Sequence, residues 1–286
     1  MTRVVRILAP NAGLRELDGT NTWVVGRWPA VVIDPAVDEP GHLADVLETA
    51  GRVGAILLTH DHPDHAPGAA TLASQTGAPV LAAAKADGRE RLRDGQAVRM
   101  PGIHMTAVAT PGHTPDHVAF FLPEDRALFT GDAVLGRGTS VIDPPEGDLT
   151  RYLRSLQRLR ELGPRTIYPG HGPVVLDAAG KLDEYLAHRQ MREEQVLAGL
   201  AEGARSPEEL VPSIYGDYPA ELHPLAARSV LAHLLKLEAE GRVARSKKDG
   251  AVRFSRSEPR SCARCGRPVK GRARLCGPCS LVVLQE

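Results

Sequence analysis

The chain has 286 residues and four cysteines, enough for one large domain plus smaller additions, with a core that does not depend on disulfides. No apolar run approaches the ~18 residues of a membrane helix, and the first apolar stretch is too short for a signal peptide, so a cytoplasmic protein with no membrane partner is expected. The 35 basic and 35 acidic side chains are unevenly spread: residues 241–286 hold twelve Lys or Arg against three Asp or Glu, leaving the first 240 with 23 basic and 32 acidic. An acidic body with a basic tail suits a polyanionic partner, although a basic tail can also be merely solubilising.

Residues 4–9, 22–25 and 31–33 read as strands. Residues 40–50 read as a helix, with Leu43, Val46 and Leu47 at helical spacing and Gly51 in the cap position. The apolar run 55–58 reads as a short buried strand, and it feeds directly into Thr59-His60-Asp61-His62-Pro63-Asp64-His65. Three imidazoles and two carboxylates within six residues bury poorly and repel one another unless something binds them. A divalent metal does so, because neutral imidazole and ionised carboxylate are its ordinary ligands. A second short helix over 68–75 and strands over 80–82, 103–109, 118–122 and 127–130 follow, the last two flanking a turn at Pro123-Glu124-Asp125-Arg126.

One cluster does not complete a metal site, and three more candidates lie downstream. His113 follows the run 103–109, Asp132 follows 127–129, and His171 follows 166–167. Each sits beside Gly or Pro at the C-terminal end of a strand-like run, where loops from neighbouring strands converge. Between them, residues 148–162 carry Leu149, Leu153, Leu156 and Leu159 as one helical stripe that stops at Gly163-Pro164. Strands mixed with helices, with polar ligands at strand ends, indicate an α/β fold.

From 177 to about 203 runs one long helical pattern. Ser206-Pro207-Glu208-Glu209 is a helix start, and 222–240 is a further helix ended by Gly241. Residues 242–246 and 251–255 flank a turn at Lys247-Lys248-Asp249-Gly250. Three helices and a basic-tipped hairpin are the layout of a winged helix; a helical appendage closing over the active site is the alternative. Cys262, Cys265, Cys276 and Cys279 then form C-x2-C-x10-C-x2-C, the spacing of a closed four-thiolate structural zinc site. Disulfides are disfavoured in a reduced compartment. With Arg260, Arg264, Arg267, Lys270, Arg272 and Arg274 interleaved, a nucleic-acid-binding zinc ribbon is expected.

His60-x-His62-x-Asp64-His65 with His113, Asp132 and His171 resembles the metallo-β-lactamase superfamily of dinuclear metal hydrolases, over roughly residues 1–190. The resemblance implies an αββα sandwich holding two divalent ions, zinc for preference. It gives His60, His62 and His113 to one ion, Asp64, His65 and His171 to the other, and Asp132 as a bridge. Asp34 matches an early Asp that braces the ligand loop. Asp64 and Asp132 would be the catalytic carboxylates, positioning a hydroxide shared by the ions.

The stretches Thr110–His117, Phe129–Gly136 and Tyr168–Pro173, with His188-Arg189, narrow the resemblance to the beta-lactamase-like protein 2 group over roughly residues 1–256. That group includes an endoribonuclease selective for single strands, and related members are thioesterases on acyl-carrier substrates. The expected organisation is a hydrolase domain over 1–190, a winged-helix-like domain over 191–256 and a zinc ribbon over 257–286. The expected activity is phosphodiester cleavage of single-stranded RNA. Ester or thioester hydrolysis on the same metals (acyl-carrier or glyoxalase II-like) is one alternative, and a nucleic-acid-binding protein with a scaffold hydrolase domain is another. His117 is a candidate leaving-group acid by its nearness to His113, but reads more readily as a core or strand-edge histidine. His42, His104, His188, His223 and His233 read as structural or surface residues, and Lys181 and Arg189 as helix-surface charges.

Overall fold

The computed structural model describes residues 1–83, 88–248 and 250–257. The chain divides into two compact units, one of Met1–Ser140 with Thr150–Leu186, the other of Val141–Leu149 with Ala187 onward.

The first unit is built on two sheets. One carries β1 (Val4–Leu8), β2 (Asn21–Val25), β3 (Ala30–Ile33), β4 (Val53–Leu57), β5 (Val80–Ala82) and β6 (Arg89–Arg91) in that order. The other runs β7 (Ala97–Met100), β8 (Ile103–Ala109), β9 (Val118–Leu122), β10 (Ala127–Gly131) and β11 (Thr166–Pro169). Helix α1 (Pro40–Ala50) crosses from β3 to the parallel β4, and α2 (Gly68–Thr76) from β4 to the parallel β5.

Strand periodicity decides which side chains fill which layer. Trp23, Val25, Val31, Ile33, Ala55 and Leu57 pack with Ile103, Met105, Phe120 and Phe129 of the second sheet. Their neighbours Val24, Val32, Ile56 and Leu58 turn the other way, onto Val46 and Ala50 of α1 and Ala69 and Leu72 of α2. The sheets therefore read as continuous apolar runs, as expected where both faces are covered.

Two strands were invisible to periodicity. β6 is Arg-Glu-Arg, half exposed at the sheet edge and held by pairing to β5, and β7 is a four-residue partner of β8. In α3 (Leu149–Glu161) the buried stripe is Leu149, Tyr152, Leu156 and Leu159, so Tyr152 takes the inward place expected of Leu153.

Helix α4 (Ala178–Gly199) starts in the first unit and ends in the second, which also contains α5 (Pro207–Tyr215), α6 (His223–Ala239) and the hairpin β12 (Val243–Lys248) and β13 (Ala251–Arg256). Val196 and Leu200, Leu210 and Ile214, Val230, Leu234 and Leu237 close a core with Val243 and Phe254 of the hairpin. Ser206 and Glu209 form a reciprocal capping box at the start of α5. The hairpin strands run further than expected: Lys247 and Lys248 belong to β12, and Lys248 pairs with Ala251.

Arg189 is a correction. It is 3% exposed rather than a surface charge, because it lies on the same helical face as Leu182, Tyr185 and Val196.

Candidate metal centre

The site is assembled from four loops at the C-terminal ends of strands, each pinned by hydrogen bonds. After β4, the Thr59 N–H and hydroxyl both donate to the Asp34 carboxylate, at 2.8 and 2.7 Å. The His65 N–H then bonds to the His62 carbonyl at 3.0 Å, turning the chain tightly enough for His60, His62, Asp64 and His65 to converge. The Thr59 carbonyl accepts from the Val118 N–H at 2.8 Å, tying this loop to the second sheet.

His113 rides on the loop between β8 and β9, which is closed at its base by a Thr110–His117 backbone bond and by Thr110 Oγ1 to His117 Nδ1, both at 2.8 Å. Its tip rests on α3. A Cβ at Gly112 would fall 2.3 Å from the Tyr152 Cα, and Ser155 Oγ donates to the Pro111 carbonyl at 2.8 Å. The Tyr152 hydroxyl donates to Ala133 O at 2.6 Å, so α3 also braces the loop carrying Asp132. The Gly170 N–H donates to Gly131 O, and the His171 carbonyl accepts from the Gly136 N–H, which joins the Asp132 and His171 loops.

The donor atoms fall into two groups, His60 with His62 and His113, and Asp64 with His65, Asp132 and His171, each within 4.8 Å. His113 Nε2 lies 3.2 Å from His62 Nδ1, and His65 Nε2 lies 3.3 Å from His171 Nε2. Two nitrogens bound tetrahedrally to one zinc at about 2.05 Å sit roughly 3.3 Å apart. Asp132 spans the groups, with Oδ2 3.7 Å from His113 Nε2 and Oδ1 3.4 and 3.2 Å from the Nε2 atoms of His65 and His171.

Second partners set the tautomers. His65 Nδ1 donates to Asp34 Oδ2 at 2.9 Å, and His171 Nδ1 faces the Gly19 carbonyl at 3.3 Å, which leaves both Nε2 atoms as lone-pair donors. The Thr59 hydroxyl proton goes to Asp34, so that oxygen accepts from His60 Nδ1 at 3.0 Å. His60 Nε2 is then buried with no hydrogen-bond partner among the described residues, which is costly unless a cation takes its lone pair. The donor set fits two divalent ions.

Charge agrees. Burial, reinforced by the neighbouring imidazoles, holds His60 well below the usual histidine range, so it stays neutral. Burial alone would raise Asp132, but His65 and His171 outweigh it and hold the carboxyl well below its usual value. Asp64 is lowered against burial by its bond to His171 and by His65. Burial is likewise overcome at His65, where Asp132 and Asp34 push the imidazole up, and at His171, which rises to about 9, so an ion bound there must displace the proton that the carboxylates favour on each ring.

Residues 15–95 and 83–171 match the Metallo-beta-lactamase superfamily, and residues 206–251 match the Beta-lactamase associated winged helix domain. The chain belongs to the metallo-β-lactamase superfamily. It is a metal-dependent hydrolase by that membership. Among its relatives, the Lactamase-like protein nscB of Aspergillus fumigatus is 37% identical, covering 85% of this chain and 80% of its own. The Beta-lactamase-like protein 2 homolog of Drosophila melanogaster is 33% identical, covering 85% and 90%. The crystal structure of a metallo-beta-lactamase family protein from Thermus thermophilus superposes with a TM-score of 0.75 at 25% identity, covering 88% of this chain and 98% of that one.

All seven residues named from the superfamily pattern come together, as does Asp34 behind them. His117 is enclosed at 1% exposure with its ring centroid 5.0 Å from that of His60, so it packs behind the cluster rather than opening to solvent. Sequence reasoning missed Asn21 and Thr22, polar residues that look like an ordinary strand start, and Tyr152, which carries no local signal. The four cysteines lie outside the described residues. Among the described residues no helix is long and apolar enough to cross a membrane.

Proposed function

We propose that this superfamily member is a dinuclear, zinc-dependent cytoplasmic hydrolase that cleaves phosphodiester bonds of single-stranded RNA. The observation that carries the hydrolytic part is the paired donor groups with Asp132 between them. His60, His62 and His113 would hold one divalent ion and Asp64, His65 and His171 the other, and such ions would supply an acidified water and stabilise charge developing on the scissile group's oxygen. Asp64 and Asp132, held ionised by His65 and His171, would accept hydrogen bonds from that water and fix its direction. Asp34, Thr59 and the Gly19 carbonyl keep the imidazoles in the ligating tautomer.

RNA as substrate is supported by the likeness to beta-lactamase-like protein 2 homologs, by the winged-helix match, and by the basic residues interleaved with the cysteines beyond residue 257. Hydrolysis of an ester or thioester on the same metals is the second reading, favoured by the likeness to fungal lactamase-like proteins over most of the chain.

The deciding experiment presents the metal-loaded chain with single-stranded RNA and with an acyl-thioester panel across a salt series. RNA cleavage is expected, with binding that weakens steeply between 50 and 200 mM salt as phosphate contacts release counterions. Thioester turnover with RNA binding flat in salt refutes the RNA assignment while leaving the hydrolase intact.

A further inference from the structure

Two adjacent residues of β2 carry no ligand and touch no ion site directly, yet both are fully buried and polar, at 0% exposure. Because successive side chains of a strand face opposite ways, Asn21 and Thr22 reach in different directions. Resting on the two-ion reading above, we propose that they are separate positioning residues: Asn21 sets His171 and through it the Asp64–His65–His171 ion alone, whereas Thr22 sets Asp34 and through it both ions.

Asn21 brackets the His171 loop. Its amide nitrogen donates to Pro169 O at 3.0 Å and to Gly172 O at 2.9 Å, so its two hydrogens hold a carbonyl on either side of the histidine. Its backbone N–H takes the carbonyl in between, Gly170 O, at 2.7 Å. Next to it, Thr20 forms a bridge pair with His171 itself, and the Gly19 carbonyl faces His171 Nδ1. Asn21 Oδ1 is buried with no hydrogen-bond partner among the described residues. An unsatisfied buried acceptor is destabilising, and an apolar residue of the same size would avoid it. The side chain is therefore explained by its two donors, not by its oxygen. Asp would offer none, and Leu none.

Thr22 acts on the other side. Its hydroxyl donates to the Asp34 carbonyl at 2.6 Å and lies 3.0 Å from His42 Nε2. A carbonyl only accepts, so the single hydroxyl proton goes to Asp34 and His42 must present Nε2–H. The bond fixes a residue whose backbone is left-handed, φ 49°, a conformation that non-glycine residues adopt at a cost. Held there, the Asp34 carboxylate orients His65 directly and His60 through Thr59. Asn21 has no such link to His60, His62 or His113.

The two reaches give different signatures in metal binding. Wild type, Asn21→Leu, Thr22→Val and Thr22→Ser, each made with Cys262→Ser and Cys265→Ser so that the zinc expected at the cysteines is not counted, are stripped and titrated with zinc against a chromophoric chelator, with bound zinc counted by elemental analysis and thermal unfolding followed alongside. Residues that orient ligands through hydrogen bonds are worth about 10–100-fold in metal affinity. Asn21→Leu is expected to weaken one of the two equivalents by that factor and leave the other unchanged. Thr22→Val is expected to weaken both, and Thr22→Ser, which keeps the hydroxyl, to restore wild-type binding. A merely structural role would lower the unfolding temperature and leave the ratio of the two affinities as in wild type; that result, or equal loss of both ions in Asn21→Leu, overturns the proposal. A wild type that binds fewer than two equivalents overturns the two-ion reading and this inference with it, and is distinguishable because it shows before any variant is compared.

Discussion

Replacing Asp34 with Asn changes one atom and tests how the site chooses its tautomers. Asp34 Oδ1 accepts from the Thr59 backbone N–H at 2.8 Å, while Oδ2 accepts from Thr59 Oγ1 at 2.7 Å and His65 Nδ1 at 2.9 Å. An amide has one oxygen and one NH2 group. Its NH2 cannot face the Thr59 N–H, which is a fixed donor, so it takes the Oδ2 place, where a hydroxyl can turn to accept. His65 Nδ1 must then accept as well, and its proton moves to Nε2, the atom that lies 3.3 Å from His171 Nε2. That atom can no longer ligate without losing its proton. Asn tolerates the left-handed backbone of this position, so the fold is expected to survive. The Thr59 hydroxyl, having lost its Asp34 acceptor, turns its proton onto His60 Nδ1, so the expected cost is 10–100-fold in affinity for each ion, or about 1.4–2.8 kcal/mol apiece. Zinc titration against a chelator reads the affinity, and nitrogen-15 NMR of the histidine side chains reads the proton position. Wild-type affinity for both ions in Asp34→Asn, with His65 still protonated on Nδ1, would refute the argument.

Two further predictions concern packing and pH. Gly170→Ala places a Cβ 2.8 Å from both Asp132 Oδ1 and His65 Cε1 and 3.0 Å from the Gly131 carbonyl carbon; overpacking of this kind costs about 1–3 kcal/mol, so the unfolding temperature is expected to drop by roughly 2–12 °C with loss of zinc, and an unchanged unfolding temperature and zinc content refutes it. His233 is 1% exposed in α6, and burial, aided by Arg189, Lys236, His188 and Arg192, holds it well below the usual histidine range. Between its folded value and the ordinary ~6.5 the unfolded chain binds the extra proton, so His233 is without penalty above pH ~6.5 and destabilises as pH falls below it, by up to about 1.4 kcal/mol per unit. Denaturant unfolding of wild type and His233→Leu at pH 7.0 and 5.5 is expected to diverge at the lower pH, and parallel behaviour refutes the linkage.

The ligands were legible in the sequence because they obey a local rule: each ends an apolar strand and is flanked by residues that turn the chain. Their order and spacing survive in one dimension. The residues that hold them do not. Tyr152 reaches Ala133 from a helix, Asn21 reaches Pro169 across 148 positions of sequence, and Thr22 meets His42 from another element. Nothing in the local pattern of Asn-Thr-Trp-Val-Val distinguishes a strand that only pairs from one that also positions a metal ligand. β6 escaped for a related reason: its strand state is imposed by pairing to β5, and its Arg-Glu-Arg sequence has no face to bury. Arg189 escaped because a long aliphatic stem lets a charged residue occupy an apolar face.

Charge is where the one-dimensional view needs the largest revision. The sequence splits into an acidic body and a basic tail at residue 241, but folding pairs across that cut. Arg242 bonds to Glu193, Arg245 to Glu238, and Arg253 binds both oxygens of Glu209 at 2.8 and 2.6 Å. Arg256 is engaged by the Leu197 carbonyl at 2.7 Å. Each arginine was counted with the tail, and each carboxylate with the body. The hairpin therefore spends its arginines on its own helices, where exposed pairs add little free energy but cancel much of the field. Lys247 is exposed near the hairpin's tip, and the sequence places Arg260, Arg264, Arg267, Lys270, Arg272 and Arg274 beyond the described residues. Under the proposed RNA activity, replacing those six residues with Gln is expected to flatten the salt dependence of RNA binding, and an unchanged salt slope would refute their involvement.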